Sequence, residues 1–185
     1  DYGSIQSGVD EADSGDEVDV ADDTYTESVS VETQRVRIDG EPGATIDTGN
    51  SSAIRLNASE AAVEGMNITG SGAAGVVVTD RAENATVLNN HFSERTTAVE
   101  VGGNGSEVLA NRIIVDRMDP VLNLSGASDV VVAQNRLTPS AGSPTPASAG
   151  IALEESPGVL ISHNTIAVGQ NGSVSGNESA IRILD

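Results

Sequence analysis

Apolar side chains recur along this chain in short alternating pairs. The clearest series reads AIRL (53–56), GVVV (75–78), AVEV (98–101), VLNL (121–124), GIAL (150–153) and AIRI (180–183). Two aliphatics flank one residue in every copy: Ile54/Leu56, Val76/Val78, Val99/Val101, Leu122/Leu124, Ile151/Leu153 and Ile181/Ile183. A period of two is that of a strand with one buried face. Arg55, Val77, Glu100, Asn123, Ala152 and Arg182 then point outward. Successive copies start 22, 23, 23, 29 and 30 residues apart, and SVSV (28–31) precedes the first by 25.

A second series runs in step with it: VEGMNI (63–68), VLNNHF (87–92), VLANRI (108–113), VAQNRL (132–137) and ISHNTI (161–166). These share V/I-x-x-N-x-I/L/F, with Asn90, Asn111, Asn135 and Asn164 in the slot and Met66 in the earliest copy. An amide at one fixed place inside every apolar run reads as structural. At a bend between strands, backbone groups are left that no ladder satisfies. An inward Asn can bond them, and can bond the Asn above and below. Asn also tolerates the left-handed conformation that a bend needs.

A repeat near 22 residues with two or three short strands predicts an all-β parallel solenoid. At about 4.8 Å per turn, six or seven turns give a rod roughly 30 Å long. An antiparallel sandwich would not place the same residue at the same point of every unit. Residues 1–27 read as an N-terminal cap. A helix over about 4–14 starts at Ser4, carries Ile5, Val9 and Ala12 on one face and stops at Gly15, and a strand follows at 16–20. Residues 28–185 form the coils. Long loops at 138–149 and 167–179 lengthen consecutive turns at one place, so they stack on one side. The chain stops at AIRILD, inside a repeat, and the expectation is that the natural protein continues or pairs there.

Composition narrows the partners. The formal net charge is −19, with nine Arg and no Lys. Such a surface repels nucleic acid and anionic membrane, and it fits a protein kept soluble in concentrated salt. No stretch approaches the roughly 20 apolar residues of a membrane span. With no Cys there are no disulfides and no thiolate metal site. Tyr2, Tyr25 and Phe92 are the only aromatics, so the core is aliphatic. The sequon N-x-[ST] occurs at Asn50, Asn57, Asn67, Asn84, Asn104, Asn123, Asn171 and Asn177, against two or three expected by chance at this composition. None of these is a slot asparagine. The excess points to covalent N-glycans and an extracellular or cell-surface protein.

The opening stretch also carries a resemblance. Ser4-Ile5-Gln6, Gly15-Asp16, Val18, Val20, Tyr25, Glu27, Val29, Val31, Ile38 and Gly40 match the start of right-handed parallel β-helices of the pectin-lyase-like superfamily. That group includes surface proteins with NosD-like and carbohydrate-binding/sugar-hydrolase repeats. The chain departs from the pattern at Asp22-Asp23, where the family usually has Pro-Gly. The Lys-free acidity resembles that of haloarchaeal proteins. The resemblance implies a right-handed, single-stranded parallel β-helix, a fold that hosts lyases, hydrolases, epimerases, phage spikes and inert scaffolds.

The search for chemistry yields little. A lyase of this superfamily needs clustered acids for a cation and an Arg base; a glycosidase needs two carboxyls about 5–10 Å apart. On the outer face of the first strip Glu100 is the only acid. Aligning Phe92 with Ile113 puts Arg95 beside Asp116, with Arg117 near, and these three are the catalytic candidates. An ordinary surface ion-pair group explains them as well. His91 and His163 lie three turns apart, about 14 Å, so they cannot share a metal. The acid run 10–23 has calcium-loop letters without the spacing or the closing Glu. No cofactor is expected, calcium being the one option kept open. The leading expectation is a non-catalytic scaffold, adhesion or assembly module, whose partners are other protein subunits or surface polysaccharide. The alternatives are a polysaccharide lyase or hydrolase, and a viral spike or filament subunit.

Overall fold

The computed structural model describes residues 2–115, 120–139, 149–167 and 179–184. Among them the chain forms one helix followed by 21 strands. Each turn contributes one strand to each of three sheets, and each sheet has seven strands. The first sheet runs from Glu17–Val20 through Arg37–Gly40, Ala62–Glu64, Thr86–Leu88, Glu107–Leu109 and Val131–Ala133 to Leu160–Ser162. The second runs from Thr24–Tyr25 through Thr45–Asp47, Asn67–Thr69, His91–Arg95, Arg112–Val115 and Arg136–Pro139 to Thr165–Ile166. The third runs from Val29–Val31 through Ile54–Leu56, Ala74–Val78, Thr97–Val101, Leu122–Ser125 and Ala149–Glu154 to Ser179–Leu184. Every pairing is parallel.

The alternation dictates the packing. In the third sheet Ile54, Val76, Val99, Leu122 and Ile151 stack in register and are fully buried. In the second, Phe92 is fully buried between Ile68 and Ile113. Each such side chain contributes roughly 1.5–3 kcal/mol by leaving water. Three positions depart from the alternation. Ala152, expected outward, is buried because it is small and lies between the longer Asn123 and Arg182. Ile181 and Ile183, expected inward, are 43% and 72% exposed, with no described strand stacked beyond them.

The bends are built from left-handed residues. Between the first and second sheets, Gly65, Asn89, Ala110, Gln134 and His163 have φ of 71°, 54°, 53°, 60° and 55°. Each of them immediately precedes a slot residue. The slot asparagines themselves are not left-handed, so the sequence expectation is corrected by one position. The residue before the slot turns the chain, and the slot residue serves the turn with its amide. A second bend, between the third and first sheets, places Arg35, Glu60, Asn84, Gly105, Asp129 and Gly158 in the same conformation.

The helix covers Ile5–Glu11, shorter than the expected 4–14. Ser4 caps it by accepting from the Ser7 amide at 3.1 Å. It ends early because the Asp16 carboxylate takes the Asp13 amide at 2.9 Å, closing a turn that competes with helix. Gly15 serves that turn, with φ 97°. Gln6 does what a neighbouring strand would do. Its side-chain oxygen accepts from the Ser30 amide at 2.7 Å and its nitrogen donates to the Ser30 carbonyl at 3.2 Å, covering the open edge of the third sheet. Both carboxylate oxygens of Glu27 accept from the first helical amides, those of Ile5 and Gln6, at 2.8 and 3.0 Å. Of the two long loops, residues 140–148 and 168–178 lie outside the described residues.

Candidate functional site

The slot residues form a continuous hydrogen-bonded column. The Asn111 side-chain nitrogen donates to the Val87 carbonyl at 2.9 Å and to the Asn135 side-chain oxygen at 3.0 Å. Its oxygen accepts from the Asn90 backbone amide at 2.9 Å and the Asn90 side-chain nitrogen at 3.2 Å. Asn135 repeats this toward Asn164, and Asn90 toward the Met66 amide. Asn90, Asn111 and Asn135 are buried. Met66 takes the slot where Gly40 leaves room below; a Cβ there would come within 2.7 Å of its sulfur.

The outer face of the first sheet carries the densest charge. Outward positions alternate with the inward Val18, Ile38 and Val63, so Asp19, Asp39 and Glu64 stack in register, and Glu17 pairs with Arg37. The Glu17, Asp19 and Asp39 carboxylates lie within 4.8 Å of one another. Arg37 sits among the acids, 3.3 Å from Glu17 and 3.8 Å from Asp39, and donates to Glu64. These groups are mostly half-exposed, so each pair contributes about 0–1 kcal/mol. Sequence reasoning missed this column. Its signal was present in EVDV, RIDG and AVEG, where an acid follows the inward residue of three successive turns.

Of the sequence-derived catalytic candidates, only Arg95 lies among the described residues. Phe92 pairs with Ile113, but Arg95 pairs with Val115. A bulge intervenes, with Glu94 left-handed at φ 61°, so Phe92 and Arg95 have one more residue between them than Ile113 and Val115. Asp116 and Arg117 lie outside the described residues, as do the sequon residues Asn171 and Asn177. The other sequon asparagines lie at exposed or half-exposed positions of strands and bends. Asn57 donates to Glu32 at 2.6 Å and to the Ser30 hydroxyl at 2.9 Å. Hydrogen bonds from Ser30 and Asn57 hold the Glu32 carboxyl below its usual range. His91 follows its slot residue in the second sheet, whereas His163 precedes its own at the bend. Burial, and secondarily the Arg112 charge on the next turn, push the His91 imidazole below its ordinary 6.5.

A concave region lies at the N-terminal end. It encloses about 360 Å³ between the helix and the first turn, and both tyrosines line it. Its lining includes Ile5, Gly8, Val18 and Val20, together with the acidic residues Glu11, Asp16, Glu17 and Asp19.

Comparison with known proteins supports the fold. No curated protein matches the sequence. A pectin methylesterase solved with a hexasaccharide has a TM-score of 0.62 at 12% identity, covering 100% of this chain and 89% of that one. The pectin methylesterase PemA from Erwinia chrysanthemi has 0.61 at 10% identity, with coverage of 100% and 89%. The pectin methylesterase from Yersinia enterocolitica has 0.53 at 11% identity, with coverage of 100% and 94%. At such identities the likeness shows the fold alone. The family model described as "Right handed beta helix region" matches residues 29–184. The chain therefore belongs to the right-handed β-helix family.

Proposed function

We propose that this β-helix is a non-catalytic module of an extracellular or cell-surface protein, serving as a scaffold, adhesion or assembly domain in concentrated salt. The observation that carries the reading is Arg37. Two of the closest-packed acids among the described residues, Glu17 and Asp39, lie against its guanidinium, which also donates to Glu64. A carboxylate pair committed to acid–base chemistry on a sugar would instead face an open cleft. The six described sequon asparagines are accessible while the slot asparagines are mostly buried, which suits N-glycans on the outside of the rod. Its partners are other protein subunits or surface polysaccharide.

A second reading has its own support. The solved relatives include pectin methylesterases in complex with hexasaccharides, and the acid column is the best carboxylate group for an enzyme acting on polysaccharide. The experiment is a product-release screen on uronate and neutral polysaccharides, in molar salt, with and without calcium. The scaffold reading expects no turnover above blank. Turnover that is lost in Asp39→Asn would replace it with the enzymatic one.

A further inference from the structure

The groove at the N-terminal end combines features that no scaffold role requires. The chain has two tyrosines and no tryptophan, and both tyrosines line this one concavity. Tyr2 is 60% exposed, yet its ring is seated: a Cβ on Gly8 would come within 3.4 Å of it and 3.0 Å of Val18. Tyr25 is anchored by its hydroxyl, which donates to the Ala21 carbonyl at 3.4 Å. Four acidic residues and no basic residue line the groove, the Glu17 and Asp19 carboxylates being grouped with Asp39 in the outer column. Glu17 is matched by Arg37, and Asp16 accepts from the Asp13 amide. Glu11 makes no ion pair among the described residues.

We propose that this groove binds an organic ammonium ion, with the charged head against the tyrosine rings and the Glu11 carboxylate and the carbon body over Ile5, Val18 and Val20. The volume of about 360 Å³ falls in the range of small-molecule sites. An aromatic face attracts a cation through its quadrupole, and a methylated ammonium loses little hydration on reaching it. The unpaired Glu11 carboxylate disfavours any anion and adds to the attraction for a cation. A neutral ligand of the same shape gains only the apolar contact.

The chain reports on this site directly, because its tyrosine emission comes from these two residues. Choline is titrated into the full chain at constant ionic strength, following tyrosine emission and broadening of the choline methyl proton signal. The uncharged isostere 3,3-dimethylbutan-1-ol is titrated in parallel. A saturable response to choline is expected, with the isostere roughly tenfold weaker. Tyr2→Ala and Glu11→Gln should each weaken choline binding about fivefold. No saturable response by either readout overturns the proposal. So does equal binding of the isostere, or unchanged affinity in both variants.

Discussion

Asn111 shows how one side chain can be both polar and buried without penalty. Its amide makes two donated and two accepted hydrogen bonds, each to a group that stacked turns leave unpaired at the bend. Asn111→Ala strands the Val87 carbonyl and the Asn90 amide, and should cost about 1–3 kcal/mol in urea unfolding. A loss below half a kilocalorie would mean that water serves the bend equally well. The slot was legible because one letter recurs there. The turning residue beside it was not, because Gly65, Asn89, Ala110, Gln134 and His163 share no chemistry, only a backbone angle. His91 adds a pH dependence. Its folded-state pKa lies below the unfolded value near 6.5, so the unfolded chain takes up the proton first. Stability should be full above that value and decline as pH falls through it. Melting temperatures from pH 8 to 5 should show this decline in the wild type, and His91→Gln should flatten that part of the curve.

At the scale of elements, the short strands derive their stability from stacking. Three-residue strands are too short to hold alone, and each is paired above and below in register. The terminal strand of the third sheet lacks that second partner, and the helix supplies one through Gln6. Gln6→Ala should expose the Ser30 amide. Hydrogen exchange at Ser30 should accelerate by roughly tenfold while exchange in the central turns stays unchanged. Unchanged exchange at Ser30 would mean that Ile5 and Val9 hold the helix in place by packing alone. The third-sheet strips and the slot could be read from periodicity, since their inward residues are strong aliphatics. The acid column was harder to read, because only one outward residue per turn carries it. The bulge at Glu94 was invisible, because no glycine marks its left-handed residue. That single extra residue moves Arg95 out of the register expected for it.

For the whole molecule, the fold and the role rest on different kinds of information. A repeat fixes where every turn lies, so fold class, strand faces and bend positions follow from spacing and hydrophobicity. A role depends on a few outward side chains, and outward positions vary freely from turn to turn. The concentration of negative charge keeps the rod hydrated and apart from other anionic surfaces. Against that background Arg37 marks the outer face as a place where acids are held by a fixed cation. The most direct measurement of that claim is product release from polysaccharide by the intact chain, beside Asp39→Asn, under identical salt and calcium. For a non-catalytic module, neither protein releases product above the blank. Sustained turnover by the intact chain, abolished by Asp39→Asn with its melting temperature preserved, would contradict it.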